Sequence, residues 1–361
     1  MEKSYFIKYI KTYFKGIVTS VLKLLNGKDE GMPPRYRFKE MLRPKFSITG
    51  KWESILADYR NVKADIVAMD SPLPIKKRGK LGSASGDIPK SGMKKWLNET
   101  QMTNLQTLAA LGENDEIKAE LFKDAASCIT GIYENNEYMF LFGLSTGIAL
   151  ATDAENVGTG VRLNYGYKDE NKFGVEIDWS NPAAKPLDDF ERIFDIAKGN
   201  IRIFLIDRPT LRKLCATNQM REQYAFFKDM NVTDGTRVPA LSLDKLNEFM
   251  QSEYKVTFDV VERTITSEKN GEDKILTPWQ EGMIIGIPNY IIGDLVYAKT
   301  AEQNAPVSGV EYQLIDGYAL LSMYRKNEPA VSEYTQIQAR VFPVISNVSK
   351  IYQLNTKTIQ A

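Results

Sequence analysis

Chemistry-bearing side chains concentrate in one stretch, SPLPIKKRGKLGSASGDIPKSGMKKWL at positions 71 to 97. It holds seven basic residues, Lys76, Lys77, Arg78, Lys80, Lys90, Lys94 and Lys95, against one acid, Asp87. Gly79, Gly82 and Gly86 punctuate it, so a phosphate cradle, a nucleic-acid patch and a solvated extended loop all come into view. A Walker-type cradle needs Gly, four residues, then Gly-Lys-Ser/Thr at a strand-to-helix turn, where backbone amides and the lysine converge on phosphates. Here Gly79-Lys80 is followed by Leu81, while Gly82 and Gly86 are followed by Ser83 and Asp87. No strand precedes the run and no helix opens at it, so the cradle requirement is unmet. The lysines could displace counterions from a phosphate backbone, yet no aromatic residue interleaves them before Trp96 for bases to stack on. A basic, extended, solvated loop stands beside the nucleic-acid reading.

The rest of the chain offers little catalytic machinery. It contains no histidine, which removes histidine-based triads and dyads and the commonest ligand of catalytic zinc. Cys128 and Cys215 lie 87 positions apart, with no second thiol beside either. They read as small core residues in a reducing compartment and not as a zinc ribbon or redox pair. The acidic runs ENDE (113 to 116) and LDD (187 to 189) fall at helix starts, where carboxylates complement the helix dipole. No catalytic, metal or cofactor set emerges.

At 361 residues the chain can form two or three compact units. Its 43% hydrophobic and 26% charged composition is that of a folded soluble protein. With 47 basic against 46 acidic residues, no global field draws it to nucleic acid or membrane, and any charge-driven role is local.

The N-terminal Phe6, Ile10, Phe14, Ile17, Val21 and Leu24 recur at the spacing of an amphipathic helix ending near Gly27. Lys8, Lys11 and Lys15 interrupt any membrane-spanning or secretory run. Such a helix suits docking on protein, with a membrane surface as the other option. A proline-bearing connector follows at Pro33 and Pro34. Residues 98 to 112 read as a short helix and 114 onward as a long one, with Asn114 as N-cap. Residues 158 to 179 read as two strands joined by the turn KDEN. Helices are expected from Pro186 to Gly199, from Thr210 to Phe227 and from Ser242 or Asp244. IRIFLID reads as a short buried strand, and the last hundred residues are mostly strand-like, in KVTFDVVERTIT, DKILTPW, GMIIGIP, GDLVYAKT and EYTQIQARVFPVI. Strands and helices segregate into patches, an α+β arrangement with several extended arms. Such arms suggest assembly.

This order of features resembles the phage lambda-like major capsid proteins, the major capsid protein E family, which share the Hong Kong 97-type capsid fold. The stretch 71 to 97 is similar to that family's extended loop (E-loop), with a basic, glycine-bearing tip and an Ile-Pro-Lys return. ENNEYMFLFGLSTGIAL resembles the family's Glu, apolar run and Leu-x-Thr-Gly, here Glu137, Leu144, Thr146 and Gly147. NYGYKDENKFGVEIDWSNPAAKPLDDFERI resembles a strand pair leading through Trp-Ser-x-Pro into a helix; Tyr165-Gly166 stands where the family usually has Asp-Phe-Gly. PWQEGMIIGIPNYIIGDLVYAKTAEQ resembles the passage nearest the capsomer axis. The resemblance spans roughly residues 60 to 350, while the helix at 1 to 26 has no clear counterpart.

The resemblance implies an N-terminal arm (1–45), E-loop with flanking strands (46–97), peripheral domain with spine helix (98–180), axial domain (181–305) and peripheral return strands (306–361). It implies Lys76, Lys77, Arg78, Gly79, Lys80, Gly82, Gly86 and Lys90 as inter-subunit residues, and Trp279, Pro288, Gly293 and Tyr297 as axial-domain residues. The implied function is that of a non-enzymatic, cofactor-free shell subunit. Its copies form homo-pentamers and homo-hexamers around packaged double-stranded DNA, in the virion of a tailed phage assembled in a bacterial cytoplasm. Scaffolding, portal and decoration proteins are further partners, and no membrane is. An encapsulin-like compartment shell, a nucleic-acid-binding protein using the basic loop and an enzyme of unfamiliar type are the alternatives.

Overall fold

A computed structural model describes residues 1–26, 36–57, 81–151, 161–228, 240–269, 271–328, 330–346 and 348–360, with backbone alone for 53–57, 81–85, 151, 161 and 269. The first half runs α1 (Ile7–Leu25), α2 (Arg37–Met41), β1 (Leu42–Phe46), β2 (Lys51–Ala57), β3 (Leu81–Asp87), β4 (Lys90–Leu97), α3 (Glu99–Leu111), α4 (Asn114–Thr146), β5 (Ile148–Ala151), β6 (Val161–Asn164) and β7 (Lys172–Val175). Then come α5 (Pro186–Ala197), β8 (Ile203–Asp207), α6 (Arg208–Ala216), α7 (Asn218–Phe227), α8 (Leu243–Glu253), β9 (Thr257–Val261), β10 (Ile265–Lys269) and β11 (Glu272–Leu276). The chain closes with β12 (Met283–Ile287), β13 (Gly293–Ala298), α9 (Ala301–Asn304), β14 (Glu311–Ile315), β15 (Ala319–Lys326), β16 (Ser332–Ile345) and β17 (Tyr352–Ile359).

Two cores organise these elements. The first lies between α4 and a six-stranded sheet ordered β1-β13-β16-β15-β14, with β4 also on β16. β15 pairs with β16 over 332 to 339. On the opposite edge β4 takes residues 333 to 340 and β13 takes 340 to 345. The second core fills a five-stranded sheet, β7-β17-β12-β8-β9, flanked by α5 to α8. Its central strands β8 and β12 are buried at every position, which explains their unbroken apolar sequences IFLI and MIIGI. Phe190, Phe204 and Phe258 meet at its heart, with ring centroids 5.1 to 5.5 Å apart.

Local chemistry sets the ends of the principal helices. Asn98 and Gln101 form a reciprocal capping box at the start of α3. α4, 33 residues long, stops where Gly147 turns left-handed at φ +77°. Its N-cap is Glu113 and not Asn114, one residue ahead of the expected start. Ser242 caps α8. The expected helix over 210 to 227 is two, because Thr217 adopts extended geometry and ends α6 while opening α7.

The expected hairpin across KDEN does not form. β6 pairs with β5, and β7 with β17 far along the chain, so the polar turn joins strands of two different sheets. β12 belongs to the five-stranded sheet and β13 to the six-stranded one, so the chain passes from one sheet to the other between 287 and 293.

α1 docks on protein: Ile10, Phe14 and Val18 are buried, and the Phe14 ring stacks on Phe122 of α4 at 6.0 Å. Val18 takes the inward place; Leu24, expected on the apolar stripe, is exposed. Among the described residues no helix is long and apolar enough to cross a membrane. Truncating the stacked ring leaves a cavity, so Phe14→Ala is expected to destabilise the first core by about 3 kcal/mol in urea unfolding. A loss below about 1 kcal/mol would show α1 to be loosely attached.

Candidate assembly surfaces

β2 and β3 form an isolated antiparallel ribbon, with register from Lys51↔Asp87 to Ala57↔Leu81. Its feet are fixed firmly. Trp52 is buried and stacks on Phe342 of β16 with centroids 5.7 Å apart. Directly across from Trp52 stands Gly86, where a Cβ would come within 2.9 Å of the indole. The Arg340 guanidinium donates to the carbonyls of Gly50 at 3.1 Å and Ile88 at 3.4 Å, and the Ile88 amide donates to Gly50 at 3.0 Å. Beyond these feet no third strand joins the ribbon among the described residues. A lone ribbon exposes both faces and both edges, and is marginal by itself.

Lys76, Lys77, Arg78, Gly79 and Lys80 lie outside the described residues. Gly82 sits on β3 opposite Leu56, and Lys90 opens β4 opposite Arg340. The expected inter-subunit residues therefore fall on the ribbon, on the segment between its strands and at the start of β4.

Trp279, Pro288, Gly293 and Tyr297, expected as axial-domain residues, lie along the passage between the two sheets. Trp279 is buried in the first core and donates its indole N–H to the Met283 carbonyl at 3.0 Å. Pro288, half-buried, follows the last residue of β12. Gly293 begins β13, where a Cβ would meet the Val344 carbonyl at 2.2 Å. Tyr297 packs between Phe46 and Tyr318. The strand pairing of β13 with β16 holds Gly293 and Tyr297 in the six-stranded sheet.

A polar hub joins the two units where α2, α4 and β9 meet. The Arg37 guanidinium donates to both Asp259 oxygens at 2.5 and 2.9 Å and to the Val260 carbonyl at 2.6 Å. Tyr36 donates to Glu134 at 2.9 Å, and Arg263, lying over the Tyr36 ring, bonds the same carboxylate. Beneath them Glu137, 1% exposed, accepts the backbone amides of Arg37 at 3.1 Å and Phe38 at 3.0 Å. Farther along α2, Lys39 donates to Asp316 at 2.7 Å and Tyr133 at 2.8 Å, and Tyr133 donates to Asp316 at 2.5 Å. Asp316 and Gly317 form the left-handed turn of the β14–β15 hairpin.

The Leu-x-Thr-Gly pattern also acquires a physical meaning. Leu144 is buried. The Thr146 hydroxyl donates to the Phe142 carbonyl at 2.6 Å and accepts the Ile148 amide at 3.2 Å, and Gly147 makes the turn. The end of α4 then fastens the second unit: Ser145 accepts the Gln280 amide on its hydroxyl and the Gln353 side chain on its carbonyl.

No protein-family model matches the chain, and neither does any curated protein. Its fold does have solved counterparts. A capsid protein assigned to a prophage of Escherichia coli CFT073 aligns with a TM-score of 0.57 and 13% identity, over 94% of this chain and 98% of that one. A phage-related protein from Bordetella bronchiseptica RB50 aligns with a TM-score of 0.50 and 12% identity, over 96% and 98% of the two chains. The chain thus has the Hong Kong 97-type phage capsid fold, in its α+β form.

The hub carries a pH signature. Burial pushes the Glu137 carboxyl up to about 7, against the opposing pull of the Phe38 and Arg37 amides and of Arg263 and Arg37. The folded state therefore holds this proton to higher pH than the unfolded chain does. Stability from this site is greatest below the ordinary carboxylate value and declines as pH rises towards 7. Relative to Glu137→Gln, which stays neutral, the native protein should lose ~3 kcal/mol between pH 4.5 and 7 in urea titrations. Parallel stability curves for the two would contradict this.

Proposed function

We propose that this chain is the major capsid protein of a tailed bacteriophage. Its copies form pentamers and hexamers on a curved lattice enclosing double-stranded DNA, and the chain itself performs no catalysis. The observation that carries the reading is the β2–β3 ribbon, held at its feet by Trp52, Gly86 and Arg340 and without a third strand among the described residues, on a body with a phage capsid fold. Such an arm becomes stable when another copy covers it, and obligate interfaces of this kind bury ~2,000 Å² or more. The near balance of 47 basic and 46 acidic residues suits a shell packed against itself. The four basic residues between Lys76 and Lys80 then contact a neighbouring subunit. Scaffolding, portal and decoration proteins are the further partners this role entails, and assembly takes place in the host bacterial cytoplasm.

The test is assembly of the full chain, expressed with its native assembly partners, followed by size-exclusion chromatography and electron microscopy. Closed shells of uniform size are expected. Replacing Lys76, Lys77, Arg78 and Lys80 together by alanine should lower the yield of shells at least tenfold without changing the melting of the monomer. Monomers or dimers alone, across several salt concentrations, would sink the capsid reading. A small species whose DNA affinity falls steeply with salt would favour a nucleic-acid-binding protein, and normal shells that merely retain less DNA would turn the basic residues towards the lumen.

A further inference from the structure

The inward face of α1 is taken up by the first core, and its outward face is basic. Ile10, Phe14 and Val18 are buried, whereas Lys8, Thr12, Lys15, Thr19 and Lys23 are exposed. At ~100° per residue these five fall within an arc of about 80°, on the side away from the buried stripe. Lys8, Lys15 and Lys23 mark this line, and their Cα atoms span ~22 Å of helix. Between them come Thr12, Gly16 and Thr19, and even a Cβ at Gly16 would meet nothing within 4 Å. No bulky side chain keeps a large partner off the line.

The charge is uncompensated. Residues 1 to 26 hold five lysines against one acid, Glu2, in a chain of net charge +1. Glu2 lies outside the helix and is bound by Arg325 and Asn327. Among the described residues Lys8, Lys15 and Lys23 form no ion pair. Exposed lysines elsewhere do: Lys168 with Glu170 at 3.1 Å, Lys172 with Asp169 at 2.7 Å and Lys357 with Glu281 at 2.9 Å. Beside the helix, Glu311 reaches Lys11 at 3.8 Å and Asp115 is held by Lys118 at 2.7 Å, so both are turned to other lysines.

A line of unpaired cations suits an extended polyanion. A lipid surface would need the apolar face of the helix, which already lies against α4. Single strands need exposed aromatic platforms, and Tyr9, Tyr13 and Phe14 pack on the core instead. We infer that the outward face of α1 is a track for the phosphate backbone of double-stranded DNA, bound without regard to sequence through Lys8, Lys15 and Lys23. The helix at 1 to 26 lacks a clear counterpart in the capsid family's pattern, which makes the track a feature of this chain. The inference rests on the shell reading only for the source of the duplex, and in a shell it turns α1 to the lumen.

The test is fluorescence anisotropy of the full-length chain with a short duplex of mixed sequence across a salt series, with electron microscopy of the same preparation after assembly. Glutamine keeps the helix propensity of lysine while removing its charge. Lys8→Gln, Lys15→Gln and Lys23→Gln together should weaken binding at least tenfold at low salt, with unchanged melting. They should also flatten the slope of log affinity against log salt by about 2.7, and Lys15→Gln alone by about 0.9. Lys168→Gln, Lys172→Gln and Lys357→Gln together remove the same charge from paired positions and should leave the slope as it is. A slope unmoved by the α1 changes, an equal loss in the control, no DNA affinity in the native chain, or tighter binding to a single strand of the same length would each overturn the track. Closed shells with an unmoved slope would leave the shell reading intact. A flattened slope without closed shells would support the track and count against the shell.

Discussion

β16 is the strand on which the rest of the molecule depends. Its 14 residues extend ~46 Å, close to the ~50 Å of the 33-residue α4 beneath it. That length lets one strand serve β15 on one edge and both β4 and β13, end to end, on the other. Arg340 stands at the handover, opposite Lys90 of β4 and Ala298 of β13. Its side chain turns out of the sheet to hold the carbonyls of Gly50 and Ile88. One residue thus sets where the sheet changes partners and where the ribbon leaves the body. A shorter β16 would leave either the ribbon's feet or the passage to the second sheet unsupported.

The second constraint is the polar hub that ties the units together. Arg37, Glu134, Glu137, Asp259 and Arg263 come from α2, α4, β9 and the segment after β9, and each partly buried charge there meets opposite charge or backbone amides. Removing one partner from such a cluster strands the others, which makes it geometrically demanding. It ties α2 and α4 to β9 of the five-stranded sheet, and a few turns farther along α4 Ser145 bonds Gln280 and Gln353.

The sequence made these features legible to different degrees. Helix periodicity and several end signals were clear: the α1 stripe, the helix start at residue 98, Pro186 and Ser242 each act locally, where spacing alone reports them, while the Asn98 capping box and the Gly147 stop emerged only from the structure. The β14–β15 hairpin was overlooked although Ile315-Asp316-Gly317-Tyr318 carries the Asp-Gly signal that a tight hairpin requires. Pairings between distant strands left no local trace. Nothing near residue 172 says that β7 seeks β17, and nothing in GDLVYA distinguishes a strand of one sheet from a strand of the other. Glu137 stood out in the family pattern, but its partners, the amides of residues 37 and 38, lie about a hundred positions away. The basic residues of the arm were visible by composition alone.

The central claim is that the β2–β3 ribbon is completed by another copy. Amide hydrogen exchange at residues 51–57 and 81–87, measured on the monomer and on assembled protein, tests it most directly. The account predicts exchange within seconds in the monomer beyond the Trp52–Gly86 foot, and at least a hundredfold slowing on assembly, while the β16 amides stay protected in both states. Equal protection of the ribbon in monomer and assembly would contradict it.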